Sequence, residues 1–379
     1  MHTTDFSPKS DGRIAFIDLM KGIVVLLILL RHLRLDIPSE TMRAMLSNMR
    51  IPTFFFLSGL FISLKYNTRT FFIKKVNNLI VPYMFFGVLA LVLVLLFPKI
   101  PPLKYEADFI LEMNAQSLYH FFAYPANIPT WFLFALMYAS IIFFILAKVL
   151  HRVHPFVLII VTITIGYFGR QLSYYMATYP DSNPLVTFLR DTHFSIGMEA
   201  TFYLMAGYLV RRSPLFAYNP GIKARLAIIA CAGIIWWFSS RGITAFNAYY
   251  FGNQIHTSYI AGLSSIFVVW FIAQGLNYLP YVSYIGRYSI IVLGSHTLYQ
   301  NIIENYFPTN PYIELAVILV LLPLTIYVLT RYLPWLTAQR PLIPVPGERR
   351  RDSSTSAPAF EGAIAAEGQE LGAENLRKL

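Results

Sequence analysis

The first apolar segment of the chain, residues 14–33, is long enough to cross a membrane but contains the ionisable residues Asp18, Lys21 and His32. Ionisable groups inside a membrane helix are costly and usually have a function. On an α-helix, residues 11 positions apart differ by about 20° in direction and lie about 16 Å apart along the axis. Lys21 and His32 therefore share one helix face, and Asp18 is close enough to pair with Lys21.

This polar stripe has two interpretations. One is a buried Asp18–Lys21 pair that only holds helices together. The other is a functional site. His32 favours the second, because it ends the stripe near the far membrane surface, where its ring meets water-soluble substrates.

The composition predicts a polytopic membrane protein. Hydrophobic residues make up 56% of the chain and charged residues only 13%, which is too apolar for a soluble fold of this size. Because about 20 apolar residues cross the hydrocarbon core, the runs long enough to do so lie at about 14–33, 44–64, 79–97, 129–150, 155–176, 194–211, 222–240, 256–277, 283–305 and 311–335. The predicted fold is an all-α bundle of about ten transmembrane helices.

The Lys and Arg residues predict the orientation of this bundle. They are more frequent in the connections on the side of both chain ends, which predicts cytoplasmic N- and C-termini and places His32 at the outer end of the first helix. The predicted organisation is a cytoplasmic segment (1–12), a transmembrane domain (13–339) and a disordered cytoplasmic tail (340–379). The net charge of +11 is then a topology signal and does not indicate nucleic-acid binding.

No bound metal or cofactor is expected. Cys231 is the only cysteine, and the eight histidines form no cluster with metal-ligand spacing. No glycine-rich nucleotide-binding loop is present either, so ATP-driven work is not expected.

Five short motifs occur in a family-like order along the chain: DLMKGIVVLLILLRH (18–32), RIPTFFFLSGLF (50–61), FFIKKVNNLIVPY (71–83), TWFLFAL (130–136) and IGRYSIIVLGSH (285–296). Together they resemble the membrane-bound acyltransferase family 3. A basic residue, ten intervening positions and a histidine recur on the first helix of that family, and here they are Lys21 and His32. The Asp-x-x-Lys-Gly start is similar to its fucose 4-O-acetylase-like sugar O-acetyltransferase branch. The resemblance spans roughly residues 13–335.

This resemblance implies the substrates. The donor is acyl-CoA on the cytoplasmic side, favoured as acetyl-CoA by the helix 1 variant, and it acts as a co-substrate. The acceptor is a carbohydrate hydroxyl of an exported or lipid-linked glycan, usually on the outer side of a bacterial cytoplasmic (inner) membrane. The expected partners are therefore acyl-CoA, a carbohydrate and membrane lipid.

The chemistry of acyl transfer assigns roles to particular residues. His32 is the predicted general base, with a transient acyl-histidine as the less favoured version. The acyl-CoA head is expected to contact the basic residues near the inner surface, with Lys21 deeper in the membrane: Arg13, Lys21, Arg69, Lys74 and Lys75. For each of these residues, an ordinary positive-inside role remains the alternative.

Other polar residues are expected to line the substrate cavity: Asp18, Arg50, Trp131, Glu199 and His296. Arg50, at the outer entrance of the second helix, is expected either to stabilise a developing oxyanion or bind an acidic sugar, or to anchor the helix at the membrane interface. Trp131 is expected either to stack against the sugar or to be one of the aromatic residues at the membrane interface. Glu199 is expected either to pair with Arg or Lys or to act in the cavity, and His296 to form hydrogen bonds within the bundle.

Three further segments complete these expectations. Ser58 and Gly59 predict a close helix-packing notch. Asp191 and His193 are candidates for the acceptor mouth, although exposed loop residues are the alternative. The connection at 98–128 is the candidate for acceptor selection, through Glu106, Asp108, Glu112, Tyr119 and His120.

Two other functional classes stay open at this stage. A secondary transporter would also combine about ten helices with intramembrane charges, although no inverted repeat is evident. A lipid-linked-sugar flippase or polymerase would be basic and polytopic too, but would need neither the Lys21–His32 stripe nor acyl-CoA. A purely structural scaffold is the least favoured class, because it would bury these ionisable groups without benefit.

Overall fold

The described parts of the chain are residues 14–33, 39–102, 128–180, 183–307 and 310–346 of a computed structural model, together with positions 107, 110–112, 119 and 123. The long helices are α1 (Ala15–His32), α2 (Glu40–Gly59), α3 (Thr68–Lys75) continued through a π-helical turn (Val76–Ile80) into α4 (Val81–Leu96), α5 (Trp131–Val149), α6 (Pro155–Thr178), α8 (Phe194–Arg212), α9 (Ile222–Ser239), α10 (Ile255–Leu276), α12 (Ser289–Tyr306) and α13 (Pro311–Tyr332). Two short helices, α7 (Pro184–Asp191) and α11 (Pro280–Arg287), and a small hairpin of β1 (Thr244–Ala245) and β2 (Tyr250–Phe251) complete the fold.

Each of the ten predicted segments corresponds to one of these long helices, but some boundaries differ. The second helix begins at Glu40 rather than 44, because the Ser39 side chain accepts a hydrogen bond from the Met42 backbone N–H at 3.3 Å and caps it. It also ends at Gly59 rather than 64. The predicted segment 283–305 is divided into α11 and α12 by a break at Tyr288.

The apolar character of the helices identifies a multi-pass membrane protein. Six helices of the described residues are long and apolar enough to cross a membrane: the continuous Thr68–Leu96 helix, α5, α6, α9, α10 and α13. The other long helices, α1, α2, α8 and α12, contain the polar residues Lys21, Arg50, Glu199 and His296. The count of about ten crossings therefore stays a prediction, as do the positions of both termini, because residues 1–13 and 347–379 lie outside the described residues.

Successive long helices alternate in direction and give the bundle two distinct ends. The basic end contains the starts of α1 and α3 and the final turn of α8 with Arg211 and Arg212. The histidine end contains His32 at the end of α1, the hairpin, and the start of α8. The hairpin is held on α2, because Asn48 donates to the Gly242 carbonyl at 3.0 Å and accepts from the Thr244 hydroxyl at 3.0 Å.

Helix α1 packs directly against α11 through two glycines. A Cβ atom on Gly286 would overlap the backbone carbonyl oxygen of Asp18, and one on Gly22 would overlap that of Val282. Small residues of this kind let membrane helices approach until their backbones touch. This contact fixes α1 relative to α11 and the following α12. The notch predicted at Gly59 is also confirmed, since a Cβ atom there would overlap the Leu204 carbonyl of α8.

A buried ion pair joins α6 to α8. Arg170 donates from Nε to Glu199 Oε2 at 2.7 Å, and its Nη2 pairs with the other carboxylate oxygen. Its Nη1 donates to the Asn253 carbonyl at 2.9 Å, and Phe251 lies 4.0 Å away against the guanidinium. Arg170 lies within α6 and gives Glu199 the Arg partner that was one of its two predicted roles.

We expect Gly286→Ala to destabilise the protein, because the new methyl group meets the Asp18 backbone, which is not free to move away. Overpacking of this kind typically costs about 1–3 kcal/mol. The measurement is thermal unfolding of the purified protein in detergent. Gly87→Ala is the matched control, since a Cβ atom at Gly87 in α4 meets nothing within 4 Å. Equal unfolding temperatures for the two variants would contradict the close contact.

We expect Glu199→Gln to reduce stability by about 3–5 kcal/mol, because it leaves the Arg170 guanidinium buried without a counter-charge. Thermal unfolding and activity per folded molecule are measured together, with exposed Glu40→Gln as the control. Lower stability with retained activity supports the structural pair. Unchanged stability with lost activity would show instead that Glu199 acts in the cavity.

Candidate active site

A cavity of about 940 Å³, counted with its open mouth, lies between α1, α2, α5, α12 and the π-helical turn. Its walls are mainly apolar, with Phe54 and Leu57 from α2, Phe132 from α5 and Leu293 from α12 among them. Apolar walls with a few polar groups are typical of a small-molecule site.

Three cationic side chains line this cavity: Lys21, Lys75 and Arg287. Lys21 Nζ lies 3.7 Å from Asp18 Oδ1 and 5.5 Å from the centre of the Phe61 ring, which confirms the predicted Asp18–Lys21 pair. Lys75 is 8% exposed and lies 5.4 Å from the centre of the Phe71 ring. Within the described part of the chain, Lys75 has no carboxylate partner. The cavity therefore has a net positive charge and suits an anionic ligand.

The other basic residues predicted to bind the donor lie elsewhere. Lys74 places its Nζ 3.9 Å from the centre of the Tyr66 ring and does not line the cavity. Arg69 is exposed at the start of α3, also outside the cavity. Arg13 lies outside the described residues. Of the three that are described, Arg69, Lys74 and Lys75, the structure brings only Lys75 to the cavity of Lys21.

The rings of His32 and His296 meet edge to face, with 5.1 Å between their centres. His296 is 1% exposed, and its Nδ1 lies 2.9 Å from the Val292 carbonyl oxygen. Because a carbonyl only accepts hydrogen bonds, this geometry requires a proton on Nδ1, and Nε2 keeps a lone pair when the ring is neutral. That Nε2 is buried without a hydrogen-bond partner among the described residues. The two imidazole rings are therefore in contact, and the hydrogen bond predicted for His296 within the bundle is the one to Val292.

A hydrogen bond from α12 fixes the end of α1 beside this pair. Gln300 Nε2 donates to the His32 backbone carbonyl at 2.6 Å and to Glu304 Oε1 at 3.0 Å. The half-buried His32 is thus the last residue of α1 and lies against α12. On α12, His296 and Gln300 are one helical turn apart. The arrangement positions the His32 ring while leaving part of it accessible.

The cavity and the histidine pair lie on the same two helices. Leu293 lines the cavity one helical turn before His296 on α12. On α1, Lys21 lines the cavity, and His32 follows about 16 Å further along. Two helices thus connect the cavity with the histidine pair, although neither histidine lines the cavity itself.

Arg50 is buried beside the histidines rather than exposed at the entrance. Its Nε donates to the Leu46 carbonyl at 3.0 Å and its Nη1 to the Leu27 carbonyl at 3.2 Å, which ties α2 to α1. The charges of Arg50 and Arg31 both act on the His32 ring. This guanidinium places positive charge near the histidines, so its predicted role with a developing oxyanion or an acidic sugar stays a prediction.

Trp131 is packed in an aromatic stack and is 7% exposed. Its ring lies 5.0 Å from that of His193, which in turn lies 5.6 Å from Tyr249. Little of the indole face is left for a sugar. Burial lowers the pKa of His193 to about 4, so its ring is neutral at physiological pH. His193 and Asp191 are buried rather than exposed, and their place at an acceptor mouth stays a prediction.

Most of the predicted acceptor-selection connection lies outside the described residues, including Glu106, Asp108 and His120. Among the described residues, no group of three His, Cys, Asp or Glu side chains is placed to hold a metal ion.

The sequence analysis did not predict that Arg287, Ala338 and Gln339 line the cavity. Arg287 was not predicted as a site residue, although it belongs to the motif 285–296. Residues Ala338 and Gln339 line the cavity from beyond the last long helix, and their sequence carries no signal of this position.

A comparison with protein families agrees with this geometry. A family model described as an acyltransferase domain, of acyltransferase family 3, matches residues 14–332. No curated protein and no solved structure matches the chain significantly. Because the family match covers most of the chain, including the cavity cations and both histidines, this protein belongs to the membrane-bound acyltransferase family 3.

Proposed function

We propose that this protein transfers an acyl group, most simply acetyl, from acyl-CoA to a carbohydrate hydroxyl of an exported or surface glycan. Family membership supports acyltransferase activity in general. The observation that carries the finer proposal is that two of the helices that line the cavity of Lys21, Lys75 and Arg287 also hold the contact between His32 and His296.

The cationic part of the cavity fits the donor. Acyl-CoA carries several phosphate charges, and cationic side chains bind phosphates through charge-assisted hydrogen bonds. The apolar walls fit the pantetheine arm and the acyl group. The rise of α1 places His32 about 16 Å beyond Lys21, which is comparable to the length of an extended pantetheine arm. A donor held by its phosphates at the cations would thus present its thioester near the histidines.

The histidine pair fits the transfer step. A neutral imidazole at His32 takes the proton of the acceptor hydroxyl, and the oxygen attacks the thioester carbonyl. The new ester bond forms as the carbon–sulfur bond breaks, and the CoA thiolate leaves. The guanidinium of Arg50 is our candidate to stabilise the developing oxyanion. A transient acyl-histidine remains the less favoured route.

The proposal includes an orientation. We place the basic end in the cytoplasm, where acyl-CoA is available, and the histidine end on the outer side, as the distribution of Lys and Arg favours. The protein would then cross a bacterial inner membrane about ten times. A transporter or a lipid-linked-sugar flippase would need neither a cationic donor cavity nor the paired histidines.

We expect His32→Ala to lower transfer of labelled acetyl from acetyl-CoA to a glycan fraction by about 10²–10⁴-fold, because the acceptor hydroxyl loses its base. Membranes carrying the intact protein and the variant are compared at equal expression. His256→Ala, an exposed histidine at the start of α10, is the matched control and should transfer normally. Substantial turnover by His32→Ala would remove His32 from the mechanism.

We expect Lys75→Ala and Arg287→Ala each to raise the KM for acetyl-CoA about tenfold while changing kcat much less, because each loses a charge-assisted contact with the donor. Steady-state kinetics at a saturating acceptor concentration measure this. Arg152→Ala, an exposed residue outside the cavity, is the control. An unchanged donor KM in both cavity variants would place the donor elsewhere.

A further inference from the structure

The chain does not leave the bundle after α13 but folds across its basic end. We call residues 333–346 the C-terminal strap. Thr337 is fully buried and Ala338 and Val345 nearly so. The Pro334 carbonyl accepts hydrogen bonds from the backbone N–H groups of Gln339 at 2.9 Å and Arg340 at 3.0 Å, which makes a compact turn. Residues 340–346 were assigned to a disordered tail from the sequence, yet they are part of this folded strap.

One buried side chain anchors the strap to the bundle. Asn77 Oδ1 accepts from the backbone N–H groups of Leu342 at 2.9 Å and Ile343 at 2.8 Å, and its Nδ2 donates to the Ile343 carbonyl at 2.8 Å. Asn77 lies in the π-helical turn between α3 and α4. Such turns are rare and often occur at functional sites. A single amide thus holds two segments that are 266 positions apart in sequence.

The strap forms part of the cavity wall. Ala338 and Gln339 line the same cavity as Lys21, Lys75 and Arg287, and so does Asn78, the neighbour of the anchor. Ala338 has a φ of 60°, a left-handed conformation that alanine rarely adopts, so its surroundings impose this turn. The strap lies beyond residue 332, where the family match ends.

The side chain of Gln339 is suited to contact a ligand. Its Nε2 donates to the Thr337 carbonyl at 3.0 Å, which fixes the amide. Its Oε1 has no hydrogen-bond partner among the described residues. An amide oxygen accepts hydrogen bonds, and the pantetheine arm of acyl-CoA has two amide N–H groups.

We propose that the C-terminal strap is a component of the acyl-CoA site, in which Gln339 contacts the bound donor and the anchor at Asn77 holds this wall in place. The inference rests on the proposed function, because it takes acyl-CoA as the ligand of the cavity. It extends the donor site to a segment outside the matched family domain.

Thiol labelling tests the contact directly in the full-length protein. In a Cys231→Ser background, Gln339→Cys and Leu342→Cys are labelled with a charged thiol reagent, with and without acetyl-CoA, which has no free thiol. We expect acetyl-CoA to slow labelling at position 339 by about tenfold and to leave position 342 unchanged, because the Leu342 side chain is 51% exposed and does not line the cavity. Equal labelling of Gln339→Cys with and without acetyl-CoA would overturn the proposal.

Kinetics test the anchor. Asn77→Leu removes all three hydrogen bonds to the strap without changing a residue that lines the cavity. We expect its KM for acetyl-CoA to rise roughly five- to tenfold, with the acceptor KM unchanged. Removal of residues 347–379 leaves the strap intact and is the control. Asn77→Asp keeps the acceptor oxygens and provides a milder variant if Asn77→Leu does not fold. A wild-type donor KM in a folded Asn77 variant would contradict the anchoring role.

The outcomes separate this inference from the proposed function. Acetyl transfer by the intact protein without protection of Gln339→Cys would reject the strap and keep the function. Absence of both transfer and protection, with expression confirmed, would reject the function and the strap together. Protection without transfer would support the strap as part of a CoA site and contradict the transfer reaction.

Discussion

The backbone contact between α1 and α11 is the constraint on which the site depends. Gly22 and Gly286 let α1 approach so closely that no side chain separates it from α11. Helix α12 follows α11 after the break at Tyr288 and runs beside α1. The same geometry therefore places Lys21 with Arg287 around one cavity and, further along, brings His32 against His296. A shift of α1 along this seam would separate both pairs at once.

The distribution of polarity among the helices follows from the cost of burying ionisable groups in a membrane. The helices α9 and α13 expose apolar side chains over most of their surface, as expected for contact with lipid. The helices that contain Lys21, Arg50, Glu199 and His296 carry more polar residues than the helices that are apolar enough to cross a membrane. Their polar residues face protein partners instead, as the Arg170–Glu199 pair does. The outward-facing helices α9 and α13 thus carry apolar surface, and these ionisable groups lie on interior helices.

Local patterns in the sequence predicted the helices and the Asp18–Lys21 pair well, because apolar periodicity and three-residue spacing are properties of a single helix. The Gly59 notch was also predictable from small residues. The partner of Glu199 was not, because Arg170 lies on another helix and its distance along the chain gives no information about contact. The strap was missed for a similar reason: its Pro-rich composition is typical of a tail, whereas the long-range hydrogen bonds of Asn77 and the burial of Thr337 and Val345 hold it on the bundle. The meeting of His32 and His296 likewise depends on tertiary packing.

The most direct test of the central claim is an experimental structure of the protein with a non-hydrolysable acyl-CoA analogue bound in a lipid environment. This account predicts density for the phosphates among Lys21, Lys75 and Arg287, and the acyl carbonyl within a few ångströms of the His32 and His296 rings. An analogue bound outside this cavity, or bound with its acyl group remote from both histidines, would contradict the account.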